Sequence, residues 1–310
     1  MSYYNRELKF AIDIVKKASL ITEWFKKKGI ESFSFKKSDH SPVTLADFAS
    51  QIYLIYQLME HFPDDKIIAE EENIEFIDPK AENLINQCFN ELNLNEIEIQ
   101  KENIKYRGKT SNRQWTIDPI DGTIGYQKGL SYAIGVGLMI ESNPKISAIA
   151  VPNYNQGSLV VFIAEESNGA QVSYNNRNFM PITVSKKDVL QNFRLCHSLH
   201  YDEPWVLNFA KSMGIKDFIQ IDSMAKFCMV AEGNADIYIK PLDPIHSFTW
   251  DFMPGDLIIR EAGGVITDLN GARLKFKEEK CLWTAPGIIA SNGILQDTVL
   301  DLYKKFSKFN

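Results

Sequence analysis

The chain has 310 residues, 45% of them apolar and 24% charged, with a net charge of −6, a balance that supports a large core in one or two domains and argues against disorder. No apolar run approaches the roughly 18 to 20 residues of a membrane span, and the start Met1-Ser2-Tyr3-Tyr4-Asn5 lacks a signal-peptide pattern, so a cytoplasmic protein without membrane partners is expected. The acidic balance and the lack of a basic run argue against a nucleic-acid polymer as partner, because such binding relies on Lys and Arg to neutralise phosphates.

Leu8, Ala11, Ile12, Val15, Ala18 and Phe25 recur at helical spacing, which predicts an amphipathic helix over the first thirty or so residues, stopping at Gly29. A second helix is predicted from Thr44, with Asp47 three residues on as the partner of a capping box, running through Phe48, Ile52, Ile55 and Met59. Lys66-Ile67-Ile68-Ala69 reads as a short strand leading into Glu70-Glu71-Glu72, residues 79–96 as a helix, and the Asn-, Glu- and Ile-rich stretch 90–105 as a surface loop. From 114 to 164, strand-like runs punctuated by Ser142-Asn143-Pro144 and Asn155-Gln156-Gly157 predict an antiparallel sheet. Beyond about residue 165 strands alternate with helices at 193–196, 203–213, 218–222, 224–232, 236–239, 252–262, 264–268 and 287–290, a second layered unit packed tightly on the first. The widely spaced Cys88, Cys196, Cys228 and Cys281 show no CxxC pair and read as reduced and structural.

The sharpest local feature is Trp115-Thr116-Ile117-Asp118-Pro119-Ile120-Asp121-Gly122-Thr123, a hydrophobic strand that ends in two carboxylates flanking a proline turn. Two such carboxylates and the Ile120 carbonyl suit an octahedral, oxygen-seeking Mg²⁺, with the Gly122 and Thr123 amides placed to receive a phosphate. Asp-Pro and Asp-Gly are also ordinary turn dipeptides, Glu70-Glu71-Glu72 an ordinary solvated charge run, Asp47 an ordinary helix-start acid, and Asp251 an ordinary N-cap of a helix with Pro254 in its first turn. Each acid alone has a structural explanation; their occurrence in one order along the chain favours a metal site.

That order resembles the lithium-sensitive, Mg²⁺-dependent phosphatase family that includes inositol monophosphatase, fructose-1,6-bisphosphatase and the 3′(2′),5′-bisphosphate nucleotidases, over nearly the whole chain. Lys37-Ser38-Asp39-His40-Ser41-Pro42-Val43-Thr44-Leu45-Ala46-Asp47 is similar to a K-x-D-x-SPVT-x-AD segment, Ala69-Glu70-Glu71 to GEE, Asp118–Thr123 to DPIDGT, and Trp250-Asp251 with Gly255 to WD-x-x-x-G. Gly125-Tyr126, His197-Ser198-Leu199-His200, Asp222-Ser223 with Lys226-Phe227, and Ala235-Asp236-Ile237-Tyr238-Ile239-Lys240 resemble the nucleotidases in particular. Ile124, where nucleotidases usually carry Lys or Arg, Ala69 and Lys240 depart from the pattern. Lys240 offers a point charge where Arg would offer a bidentate fork.

The resemblance implies an α/β (α+β sandwich) fold layered α-β-α-β-α in two tightly packed halves. Residues 1–165 would carry most metal ligands, and 166–310 would complete the site and bind substrate. It implies two or three Mg²⁺ ions: Glu70, Asp118 and the Ile120 carbonyl for the first, Asp118, Asp121 and Asp251 for the second. It further implies Asp47 and Thr123 as the water-activating pair with Glu71 assisting, Gly122 and Thr123 on the scissile phosphate, Ser223, Lys226 and Lys240 on a remote 5′-phosphate, and His200 near the nucleotide. Read alone, Ser223 is a helix cap, the two lysines are solvated, and His200 is a surface or structural histidine. The expected reaction is hydrolysis of 3′-phosphoadenosine 5′-phosphate to AMP and phosphate, with 3′-phosphoadenosine 5′-phosphosulfate and inositol 1,4-bisphosphate as further substrates, by a monomer or homodimer inhibited by Li⁺. The rival readings are an inositol-phosphate phosphatase and a non-catalytic nucleotide or metal sensor.

Overall fold

The computed structural model describes residues 3–308 except 31–32, 38–41, 73–76, 98, 100–103, 155–156, 201–203, 243–246 and 277–285. Met1-Ser2, Ser38 to Ser41 of the SPVT segment, Asn155-Gln156, residue 203 of the expected 203–213 helix, part of the 90–105 stretch and Cys281 therefore lie outside the described residues. Cys88, Cys196 and Cys228 are buried thiols.

Helix α1 (Asn5–Lys27) buries Ala11, Val15, Ala18 and Phe25, and the chain turns at Gly29 with φ +70°. A short antiparallel pair, β1 (Ser34–Lys36) and β2 (Pro42–Thr44), leads into α2 (Leu45–His61). Thr44 caps α2 as expected, with Asp47 closing the capping box. Helix α3 (Pro79–Glu91) ends before the predicted residue 96, because Asn93 adopts a left-handed backbone with φ +56°.

The larger sheet runs β3 (Lys66–Ala69), β4 (Arg113–Asp121), β5 (Ala133–Ile140), β6 (Asn143–Val151), β7 (Val160–Glu165), β8 (Gly169–Tyr174), β9 (Met180–Pro181), each paired with the next. Only β3–β4 is parallel; the others form the expected antiparallel sheet. It runs past residue 165, so a division at 165/166 falls between two paired strands. Alternate residues serve opposite faces. Ile134, Val136 and Leu138 of β5 join the core under α1 and α2, while Ala133 and Met139 join the core on the other side.

The second sheet has strands β10 (Arg194–His197), β11 (Asp217–Gln220), β12 (Ile237–Pro241), β13 (Val265–Asp268) and β14 (Gly287–Ser291) in the order β11-β10-β12-β14-β13. After the short α4 (Thr123–Gln127), helices α5 (Pro204–Ser212), α6 (Ala225–Ala231), α7 (Thr249–Glu261) and α8 (Gln296–Phe306) accompany it. Helices α6 and α7 are shared by both sheets: Phe227, Phe252 and Met253 pack with Ile149 and Phe162 of one and Tyr238 and Ala290 of the other. Helices α5 and α8 cover the outer face through Val206, Phe209, Val299 and Leu300. The result is the expected α-β-α-β-α layering. No described helix is long and apolar enough to cross a membrane.

Helix α7 corrects one local expectation. It begins at Thr249, with Phe248 at the N-cap position, so Asp251 is the third helical residue rather than the cap, and Pro254 lies inside the helix beyond the first turn.

Candidate metal centre

The end of β4 carries Asp118 and Asp121, which in a regular strand would point to opposite faces, being three residues apart. They do not. Asp118 pairs with Gly135 and Asp121 with Ala133, three steps along β4 against two along β5. The bulge absorbs Pro119, which has no N–H for the ladder, and returns Asp121 to the face of Asp118. Asp251, in the first turn of α7, meets them there: carboxylate oxygens of Asp118, Asp121 and Asp251 lie within 4.8 Å of one another.

Such crowding is electrostatically costly without cations. Burial pushes the Asp118 carboxyl well above the usual carboxylate range, and Glu70, Asp121 and Asp251 add to it. Burial likewise raises Asp251 to about 7 and raises Asp121, against the opposing pull of Lys240 on both and of Lys226 on Asp121. Asp118 Oδ1 and Glu71 Oε2 are buried without a hydrogen-bond partner among the described residues. An all-oxygen donor set with orphaned acceptors suits a hard divalent cation, so this cluster could hold a metal.

Glu70 and Glu71 follow β3, the parallel neighbour of β4, and approach from the side. Gln51 of α2 fixes their backbone: it accepts from the Glu71 amide at 2.8 Å and donates to the Glu71 carbonyl at 2.6 Å. Ser50, beside it, donates to the Pro119 carbonyl at 3.1 Å, so one helix positions both acidic segments. The Lys37 ammonium lies 2.7 Å from a carboxylate oxygen of each glutamate. Burial and then the charge of Glu70 raise Glu71 well above the usual carboxylate range.

Asp47 divides its two oxygens. Oδ2 accepts from the Thr44 amide at 2.8 Å and the Thr44 hydroxyl at 2.5 Å, which is the capping role; Oδ1 faces the Thr123 hydroxyl at 3.4 Å. That hydroxyl is also 3.3 Å from the Ile120 carbonyl. Burial pushes Asp47 up to about 7, against the hydrogen bond from Thr44.

The second half contributes the loop after β11. Met224 donates its backbone N–H to Asp121 Oδ2, and Ser223 abuts Gly122. Lys226 is buried, 5.4 Å from the Tyr238 ring centroid, and Lys240 stands 4.4 Å from the Phe252 centroid, so neither is the freely solvated lysine that charge pattern alone suggests. His200 lies further along the same flank, its Nδ1 hydrogen-bonded to Asp222 Oδ2.

The structure thus brings Asp118, Asp121 and Asp251 into one cluster, with Glu70 beside it, Glu71 behind Lys37, Asp47 touching Thr123, and Ile120, Gly122, Ser223, Lys226 and Lys240 around the rim. Sequence reasoning did not nominate Lys37 or Asp222, although both sit inside motifs already quoted, nor Lys128, for which there was no signal.

A family model described as the inositol monophosphatase family matches residues 4–306. The chain is 30% identical to a 3′,5′-bisphosphate nucleotidase 2 of Arabidopsis thaliana over 96% of this chain and 95% of that protein. It is also 30% identical to a 3′(2′),5′-bisphosphate nucleotidase of Schizosaccharomyces pombe, over 96% and 94%. Among solved structures, an IMPase of Thermotoga maritima superposes with a TM-score of 0.69 at 22% identity, covering 98% of both chains. An inositol monophosphatase of Anabaena gives 0.67 at 21%, covering 97% of this chain and 96% of that one.

Proposed function

Because the chain belongs to the inositol monophosphatase family, we propose that it hydrolyses the 3′-phosphate of 3′-phosphoadenosine 5′-phosphate to give AMP and phosphate, with Mg²⁺ as cofactor. The observation that carries the reading is the meeting of Asp118, Asp121 and Asp251 next to the Asp47–Thr123 contact. The relatives named for bisphosphate nucleotides favour this substrate over an inositol phosphate, as do Ser223 against Gly122 and the buried Lys226.

Glu70, Asp118, the Ile120 carbonyl, Asp121 and Asp251 would hold two Mg²⁺ ions, with a third, weaker position at Glu70. When bound, these ions supply Lewis-acid stabilisation of charge on the attacking and leaving oxygens. The Thr123 hydroxyl donates to Asp47 Oδ1, which leaves its own oxygen to accept a proton from an attacking water. As the water oxygen bonds to phosphorus and the ester P–O bond breaks, the water proton passes through Thr123 to Asp47 and the departing 3′-oxygen takes a proton from solvent. The Gly122 and Thr123 amides face the phosphate, fixed in advance by the turn. Lys37 holds Glu71 in place as an auxiliary acid. Ser223, Lys226 and Lys240 take the 5′-phosphate, and His200 lies beside the nucleotide.

Phosphate release measured with Mg²⁺ over 3′-phosphoadenosine 5′-phosphate, its phosphosulfate, inositol 1,4-bisphosphate and inositol 1-phosphate tests the reading. The bisphosphate nucleotide should give the highest kcat/KM; activity confined to inositol 1-phosphate would overturn it.

A further inference from the structure

The geometry points to Lys128 as a further specificity-determining residue that joins Ser223, Lys226 and Lys240 on the substrate's second anionic group, the one not being hydrolysed; the inference rests on the phosphatase reading above and deepens it. Lys128 caps the C-terminal end of α4, the helix whose first residue is Thr123. At about 1.5 Å per residue its Cα stands some 7.5 Å along the axis from that of Thr123. Its exposed ammonium reaches His200 Nε2 at 2.8 Å. With Nε2 accepting from the lysine, the ring donates through Nδ1, the atom that faces Asp222 Oδ2.

This array is firmly held. Asp222 is buried and also accepts from the Ser198 hydroxyl and the Leu199 amide, each at 2.8 Å. It approaches α4 at Gly125, where an added Cβ would stand 3.7 Å from Asp222 Oδ2 and only 2.8 Å from the Ser131 carbonyl. Asp222 is followed by Ser223, which backs on to Gly122, so the Asp222–His200–Lys128 chain continues directly from the turn proposed to take the scissile phosphate. Lys226 and Lys240 divide their charge between the second anionic group and the acidic cluster, where they oppose the rise of Asp121. Lys128 instead donates to a ring nitrogen rather than to a carboxylate, so its charge is not neutralised and can meet a phosphate. Ile124, one turn earlier on the same face of α4, brings no charge.

The test compares substrates with and without the second phosphate: 3′-phosphoadenosine 5′-phosphate against adenosine 3′-phosphate, and inositol 1,4-bisphosphate against inositol 1-phosphate. Lys128→Met should raise KM for the doubly phosphorylated member of a pair about tenfold, as expected for loss of one charged hydrogen bond. It should leave kcat within about twofold and KM for the singly phosphorylated member unchanged, and Lys128→Arg should recover most of the loss. An equal rise for both members, or none for either, would overturn the assignment. A chain active only on the inositol pair would defeat the nucleotide reading, and the ratio within that pair would still decide the role of Lys128.

Discussion

Gly122 and Ser223 meet back to back: a Cβ on Gly122 would stand 3.1 Å from the Ser223 Cβ, and both residues have left-handed backbones, with φ of +87° and +70°. One ends the β4 turn of the larger sheet and the other opens the loop into α6, so the contact joins the two halves at the proposed phosphate position. Gly122→Ala should cost about 1–2 kcal/mol from the left-handed backbone alone and should lower kcat by shifting the Thr123 amide. Thermal unfolding and phosphate release measure the two effects. Wild-type turnover in the alanine variant would show that the close approach is dispensable.

Removal of divalent metal should destabilise the chain, because the acidic cluster then keeps its mutual repulsion. Mg²⁺ at a hundredfold excess over its dissociation constant should add about 2.7 kcal/mol, visible as a rise of several degrees in Tm after chelation and re-addition. A Tm indifferent to both would remove the cluster as a cation site.

Asp118→Asn separates stability from function. With a chelator present the variant should be more stable than the parent by about 1 kcal/mol, since a buried acid surrounded by Glu70, Asp121 and Asp251 has lost its charge. Its turnover should fall by about 100-fold or more, and its Mg²⁺-dependent rise in Tm should shrink. Lower stability under chelation would contradict the repulsion argument.

Asp47→Asn should behave differently, because Asp47 touches Thr123 and not the three clustered aspartates. kcat should fall by roughly 10² to 10⁴ while the Mg²⁺-dependent Tm rise persists. Loss of that rise would make Asp47 part of the cation site instead.

Far from the site, Asp236 ties β12 to Lys187 and to Arg194 at 3.0 and 3.1 Å. Burial pushes its pKa up, but hydrogen bonds from Arg194, Ser185 and Lys187 outweigh it and hold the carboxyl below the usual range. A depressed folded-state pKa contributes stability that is present above the ordinary carboxylate value and disappears as pH falls through the folded one. Asp236→Asn should therefore cost about 1 kcal/mol near neutral pH, its cationic partners being partly exposed, and the difference from wild type should narrow in acid, below about pH 4. A difference constant with pH would mean that packing, not charge, accounts for the loss.

Local interactions made much of this chain legible in its sequence. The Thr44–Asp47 capping box, the helical stripe of α1 and the strand runs of the larger sheet each depend on residues a few positions apart, and periodicity reports such contacts directly. The order of the acidic motifs also marked out the chemistry. What no spacing contained was orientation. Asp118 and Asp121 share a face only because β5 imposes two steps against three, and the position of Asp251 could be known only when α7 had packed between the sheets. Lys128 meets His200 across 72 residues of chain, a contact set by long-range packing that leaves no periodic trace in the sequence.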